Sequence, residues 1–202
     1  MTVTSSEHRR IWLFRHGATE WSRNGRHTGT TDLPLLPVGE ATARRLAPIA
    51  TAHPFSLVLA SPLKRARRTA TLLGLRDVEI DDDLHEWNYG DYEGVTTAAI
   101  RETVPGWTVW NGGCPGGETG TQVAARCERV IRRAGEASGD VALVAHGHLL
   151  RVLAATWLGL PPADGRFFKL DTGTYCVLGF EHEYRTIETW NAPAPGPDGA
   201  AS

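Results

Sequence analysis

Three short apolar runs stand out along the chain: residues 11–14 (IWLF), 57–60 (LVLA) and 141–145 (VALVA). Each is too short and too uniformly apolar for an amphipathic helix, so each reads as a strand buried on both faces. A helical pattern follows each one, over residues 37–50, 62–73 and 149–158. Another helix is predicted over 118–138, with Arg126, Arg129, Arg132 and Arg133 on its wet side. Near the end, 174–180 and 184–189 read as a strand pair. Strand and helix in alternation predict an α/β protein, a single-domain three-layer α/β/α sandwich with a mainly parallel sheet. The domain is expected to span residues 9–190. Residues 1–8 read as a flexible arm and 191–202 as a disordered tail rich in Pro, Gly and Ala.

Length and charge narrow the classes. A chain of 202 residues suits one sizeable domain. A net charge of -2 gives no reason to expect nucleic acid or an anionic membrane as partner. Cys114, Cys127 and Cys176 are odd in number and include no C-x-x-C pair, which argues against a disulfide framework and a zinc site. Met1 to Ser6 is polar, without an apolar signal core, and no apolar run approaches the roughly 18 residues of a membrane span. The expectation is a cytoplasmic enzyme or binding protein.

In open α/β sheets, ligands bind beyond the carboxyl ends of the strands. After the first run come Arg15 and His16, after the second Ser61-Pro62-Leu63-Lys64-Arg65-Ala66, and after the third His146-Gly147-His148. All three places supply cations or imidazoles, and none supplies a carboxylate. Ser61 reads as an N-cap with Pro62 as the first helical residue. That puts Lys64 and Arg65 in a first turn whose dipole disfavours positive charge, unless an anion sits there. Arg65 is expected to face the site, and Lys64, Arg67 and Arg68 to face water. Two arginines and two histidines suit a dianionic phosphoryl group, whose transfer needs positioning and positive charge. With no acidic ligand cluster, no G-x-x-x-x-G-K-[ST] and no G-x-G-x-x-G, neither a metal nor a nucleotide cofactor is expected. A proton donor is sought in LHEWNYGDYEG, residues 84–94, where spacing alone leaves Glu86, Asp91 and Glu93 open.

These blocks together resemble the histidine phosphatase superfamily, in its phosphoglycerate mutase-like branch. The resemblance rests on Arg15-His16-Gly17, Gly25-Arg26-His27-Thr28-Gly29, Asp32-Leu33-Pro34-Leu35, the Ser61–Ala66 block, Glu86 and Ala145-His146-Gly147. It implies a phosphoglycerate mutase-like fold, His16 as the nucleophile that becomes phosphohistidine, and Arg15, Arg65 and His146 as phosphoryl ligands. His146 is then most useful as imidazolium. Glu86 takes the acid/base position, and Thr28, Gly29 and Gly147 add substrate contacts, with Gly17 allowing close approach of a phosphate. Ser22 stands where the mutases usually place asparagine, which puts a hydrogen bond there in doubt.

The stretch from Val95 to Gln122 is short and offers only Arg101 as a cation, whereas the mutases carry a longer, more basic insertion. Its WTVWNGGCPGGET segment is similar to acid phosphatases and sedoheptulose-1,7-bisphosphatases of the family, and reads as a lid or as a surface loop with two core tryptophans. The resemblance therefore implies a metal-independent phosphatase acting on a small phosphate ester. It leaves room for a homodimer. Mutase-type transfer, an inactive phospho-ligand binder, and metal binding through His146-x-His148 are the alternatives.

Overall fold

The computed structural model describes residues 9–194 and 196; the expected arm at 1–8 and most of the expected tail lie outside the described residues. Uninterrupted apolar residues make β1 (Ile11–Arg15), which Arg15 ends, and β2 (Leu57–Ala60), and three more residues make the short β3 (Val78–Ile80). β4 (Val141–Ala145) is buried at every position. β5 (Thr174–Glu181) and β6 (Tyr184–Pro193) form the hairpin. The sheet runs β3-β2-β4-β1-β5-β6, with the first four strands parallel and the last two antiparallel.

The two-residue period of the strands sorts their side chains between two cores. Ile11, Leu13, Leu59 and Leu143 point to one face, which α5 (Gly120–Gly135) and α6 (Gly147–Trp157) cover. Trp12, Phe14, Val58, Ala142 and Val144 point to the other, under α2 (Pro37–Thr51) and α3 (Lys64–Leu72). Register then aligns the strand ends. Arg15 pairs with Ala145, and Ala60 with Val144, so His16, Ser61 and His146 leave the sheet at one level.

Several boundaries differ from those read in the sequence. α3 begins at Lys64, not Pro62, because the Ser61 hydroxyl accepts from the Leu63 N–H (3.3 Å) in a turn and Leu63 stays extended. α5 starts after Thr119, whose capping box with Gln122 closes it; Glu118 is thereby left outside to bind Arg126 at 2.8 Å. Arg126 is consequently mostly buried, not on the wet side. β6 continues through Asn191, Ala192 and Pro193, which were assigned to the tail, because a sheet edge tolerates a proline. α1 (Glu20–Asn24), β3 and α4 (Thr97–Thr103) are too short to leave a periodic signal. Among the described residues no helix is long and apolar enough to cross a membrane.

Candidate active site

His16 is fixed before any ligand arrives. Its backbone N–H donates to the Ala145 carbonyl (3.1 Å) and its own carbonyl accepts from Gly173 (3.0 Å). Its ring Nδ1 lies 2.7 Å from the Gly17 carbonyl. A carbonyl can only accept, so Nδ1 carries the proton and Nε2 keeps its lone pair. Burial, then the charges of Arg65 and Arg15, hold the His16 pKa well below its usual 6.5. The imidazole is therefore neutral. Gly17 serves a different end from the expected one: a side chain there would run into the Gly39 carbonyl of α2, so the close approach is between helix and strand end.

Arg15 and Gly147 fit each other. A Cβ on Gly147 would stand 2.9 Å from the Arg15 guanidinium carbon, so glycine is what lets that group lie across the start of α6. Arg15 donates through Nη1 to the Leu170 carbonyl, while its buried Nε has no partner.

Arg65 and His146 are fully buried and stand behind the cavity. Arg65 spends its donors on the carbonyls of Thr31 (2.9 Å), Thr28 (3.1 Å) and Gly29 (3.2 Å), and on His146 Nδ1 (3.2 Å). His146 Nδ1 is thus an acceptor, and its Nε2–H faces the Ser61 hydroxyl at 2.7 Å. Burial and the Arg65 charge push its pKa well below 6.5. The expected imidazolium is a neutral ring here, because a cation donates to it. Both of its nitrogens are engaged, which leaves no lone pair for a metal and weakens the His146-x-His148 alternative.

The cavity in front of His16 measures about 210 Å³ and is lined by Arg15, Thr28, Glu86, Gly147, His148 and Arg151, among others. Of the three candidate acids only Glu86 faces it. Glu93 is spent on the Gly29 (2.9 Å) and Thr31 (2.9 Å) N–H groups, and Asp91 is exposed. Glu86 accepts from the N–H groups of Trp87 (2.9 Å), His148 (3.1 Å) and Leu149 (2.8 Å). Gly29 stands behind the wall as part of the loop that holds Arg65. Ser22 lines the cavity, but its hydroxyl is used in the cap of α1, accepting from Thr19 N–H (2.9 Å) and donating to the Thr19 carbonyl (3.0 Å).

Two helices point their N-termini at this region, and the chain supplies an anion to each. Asp32 accepts from the Lys64 N–H of α3 at 2.7 Å, and Glu86 caps α6. The anion sought at the start of α3 is thus a side chain. Arg65 alone of its cluster turns inward, while Lys64, Arg67 and Arg68 are exposed, as expected.

Residues that sequence reasoning left without a role also line the cavity: Arg26, His27, Tyr89, His148 and Arg151. Tyr89 is buried and its hydroxyl lies 2.6 Å from His148 Nδ1, in a hydrogen bond to an imidazole whose pKa burial holds well below 6.5. The signal for Arg151 was present: it is one charge in an otherwise apolar helix, four residues after Gly147 and so on the same face. The 95–122 segment contributes buried Trp107, and Trp110, which packs edge-on against Trp87 and His148. A larger cavity of about 470 Å³ lies at the opposite, amino ends of the strands, around His53 and Leu57.

Burial of neutral His16 and His146 carries a cost in acid. The unfolded chain takes up these protons near pH 6.5 and the folded chain does not, so stability is complete above that pH and falls below it. The slope is about 3 kcal/mol per pH unit for the pair until the folded values are reached. The urea midpoint is expected to be clearly lower at pH 5.5 than at pH 7.5; equal midpoints would show that both rings protonate freely in the fold.

The family model described as "Histidine phosphatase superfamily (branch 1)" matches residues 11–193. An acid phosphatase of Mycobacterium tuberculosis is 41% identical over 184 residues, covering 88% of this chain and 90% of that protein. A sedoheptulose 1,7-bisphosphatase of Saccharomyces cerevisiae is 39% identical over 185 residues, covering 75% of this chain and 68% of its own. Among solved structures, that of a Mycobacterium tuberculosis open reading frame aligns with a TM-score of 0.88 at 38% identity, over 92% of this chain and 98% of the other. A mycobacterial glucosyl-3-phosphoglycerate phosphatase in complex with VO3 aligns at 0.82 and 30% identity, over 91% of this chain and 99% of its own.

Proposed function

The chain belongs to the histidine phosphatase superfamily, branch 1, and from that premise we propose a metal-independent phosphomonoesterase that works through a phosphohistidine on His16. It is a hydrolase of phosphate monoesters, and its substrates are small phosphorylated metabolites such as sugar phosphates. The observation that carries the residue assignment is the His16 tautomer: Nδ1–H is spent on the Gly17 carbonyl, and Nε2 is a neutral, oriented lone pair.

In the first step His16 Nε2 attacks phosphorus as the ester P–O bond breaks, and the leaving oxygen takes the proton of Glu86, which must enter this step as the carboxylic acid and leaves it as the carboxylate. Arg15, which lines the cavity, binds the equatorial oxygens, and Arg65 adds its charge from behind. His146 orients Arg65 as a neutral acceptor. In the second step water attacks the phosphohistidine and gives a proton to Glu86, releasing phosphate and restoring His16. Thr28 and Gly147 bound the substrate side of the cavity. Three free thiols suit the reducing cytoplasm, where we place the enzyme.

The test is phosphate release from a panel of sugar phosphates, aryl phosphates and 3-phosphoglycerate, with and without chelator. Release is expected to survive chelation and to be inhibited by vanadate, which resembles the five-coordinate transition state. Loss on chelation with rescue by magnesium or zinc would overturn the metal-independent reading. Isomerisation of 3-phosphoglycerate outpacing release would point to a mutase. No release from any ester would leave a binding protein.

A further inference from the structure

His16 and His146 follow strands and Arg65 lies in α3, but Glu86 sits in residues 85–89, which belong to neither helix nor strand. Such a stretch has no ladder of its own. Its place is set by whatever its backbone groups meet.

What they meet is one ion pair. Arg126 of α5 and Glu118, just outside that helix, bond in bidentate fashion, Nε to Oε1 at 2.8 Å and Nη2 to Oε2 at 2.9 Å. Before Glu86 in the chain, Arg126 Nη1 donates to the carbonyls of Asp83 (2.6 Å) and His85 (3.0 Å). After it, Glu118 Oε2 accepts from the Asn88 N–H (2.9 Å), and the Glu118 N–H donates to the Asn88 carbonyl (2.9 Å). The Glu118 carbonyl also accepts from the Trp87 indole N–H (2.8 Å). Glu86 is thus bracketed by Arg126 on one side and Glu118 on the other, while its carboxylate reaches across to α6.

Neighbouring ion pairs do not match this one. Arg129 on Asp83 and Arg133 on Asp81 leave arginine side chains 51% and 38% exposed, whereas Arg126 is 12% exposed. Exposed pairs contribute little, and these two stop at Asp83, short of the acid. Taking a pair out of water costs desolvation, which bonds to its remaining donors and acceptors must offset. Arg126 and Glu118 make those bonds to the residues flanking Glu86.

We propose that the Arg126–Glu118 pair is a positioning device for Glu86, setting its carboxyl at proton-transfer distance from the leaving oxygen. Neither residue lines the cavity, so both act through Glu86. This rests on the acid role given to Glu86 above. General acid catalysis needs the proton within about 2.6–3.2 Å, and a shift of about 1 Å can cost on the order of 10²-fold.

The experiment measures kcat/KM on glycerol 3-phosphate and on p-nitrophenyl phosphate in Glu118→Gln, Arg126→Lys and Glu86→Gln. That parameter covers the steps up to departure of the alcohol and leaves out hydrolysis of the phosphohistidine, which both substrates share. Glu118→Gln brings an NH₂ to a place where Arg126 and Asn88 both donate. Arg126→Lys keeps the charge but gives up the fork that joins Glu118 to two carbonyls. Each is expected to lower the alkyl-to-aryl ratio about tenfold, in the direction of Glu86→Gln, because only the alkyl ester needs the proton. Added to Glu86→Gln, Glu118→Gln is expected to leave the ratio where it already stands. Arg129→Gln, which frees only Asp83, is expected to keep the wild-type ratio. Loss of folded enzyme lowers both rates equally and cancels in the ratio. Where neither pair variant folds, Trp87→Phe removes only the indole bond to Glu118, and a smaller shift of the same sign is expected.

A ratio unmoved in these variants, while Glu86→Gln shifts it, would make the pair a structural brace and overturn the proposal. An equal shift in Arg129→Gln, or a further shift in the double variant, would overturn it too. A ratio unmoved in Glu86→Gln would overturn the acid role itself. No hydrolysis of either ester would instead overturn the phosphatase reading.

Discussion

His16→Ala is expected to lower turnover by about 10⁴-fold or more, and to abolish phosphate labelling of protein quenched in alkaline denaturant, where a phosphoramidate survives. Among the described residues that line the cavity, the substitution removes the one imidazole that stands at a strand end with a neutral, oriented nitrogen. Nearby His146 cannot substitute, since Arg65 donates to its Nδ1 and its Nε2–H faces Ser61. His148 sits in the first turn of α6, not at a strand end, with its Nδ1 bonded to the Tyr89 hydroxyl. The His16 side chain hydrogen-bonds to Gly17, and its backbone bonds to Ala145 and Gly173 survive truncation, so the variant is expected to fold with little loss of stability. Substantial turnover with labelling intact would move the nucleophile elsewhere.

Glu86→Gln is expected to cost about 10²–10⁴-fold on alkyl phosphates and clearly less on p-nitrophenyl phosphate, whose leaving group is stable without a proton. The geometry adds a complication that the substrate comparison removes. Glutamine keeps one acceptor oxygen but turns its NH₂ toward a backbone N–H that the carboxylate now serves, so the start of α6 loses a hydrogen bond worth about 1 kcal/mol. That loss weakens the site for every substrate alike. Only a role in protonating the leaving group separates alkyl from aryl esters. Equal losses on both would make Glu86 a cap and nothing more.

The parallel core of the sheet was legible because its strands are buried on both faces and so carry no polar residue to blur them. β2 and β4 coincide with their apolar runs, and β1 is longer only by Arg15. The cations at the strand ends were legible for the same reason, as charges that interrupt an apolar pattern. The three-residue β3 at a sheet edge and the five-residue α1 were not, since no period develops over so few positions.

What composition and spacing could not give was which partner each charge meets. Arg65 was assigned to a phosphate, yet its donors go to a loop that Glu93 holds in place, 62 residues further along from Thr31. The neutral state of His146 has the same origin, because its environment is set by residues brought together from β2, α3 and β4. Glu86 and Glu93 look alike in the sequence. Only the third dimension separates a carboxylate facing a cavity from one tying down a backbone.

The alignment of β1 with β4 gives the site a phase. Side chains alternate faces along β1, so Phe14 and Leu13 go to opposite cores, and Arg15 and His16 leave in opposite senses from a register that pairs Arg15 with Ala145. One residue added within β1 would exchange the two cores' side chains and hand the place of the imidazole to the guanidinium in a single step. Loops such as 104–119, which bring Trp110 against His148 and Arg151, carry no such register and can change length. The strands can change only by even steps. Changes in length are thereby kept out of the strand that leads to His16 and left to the loops.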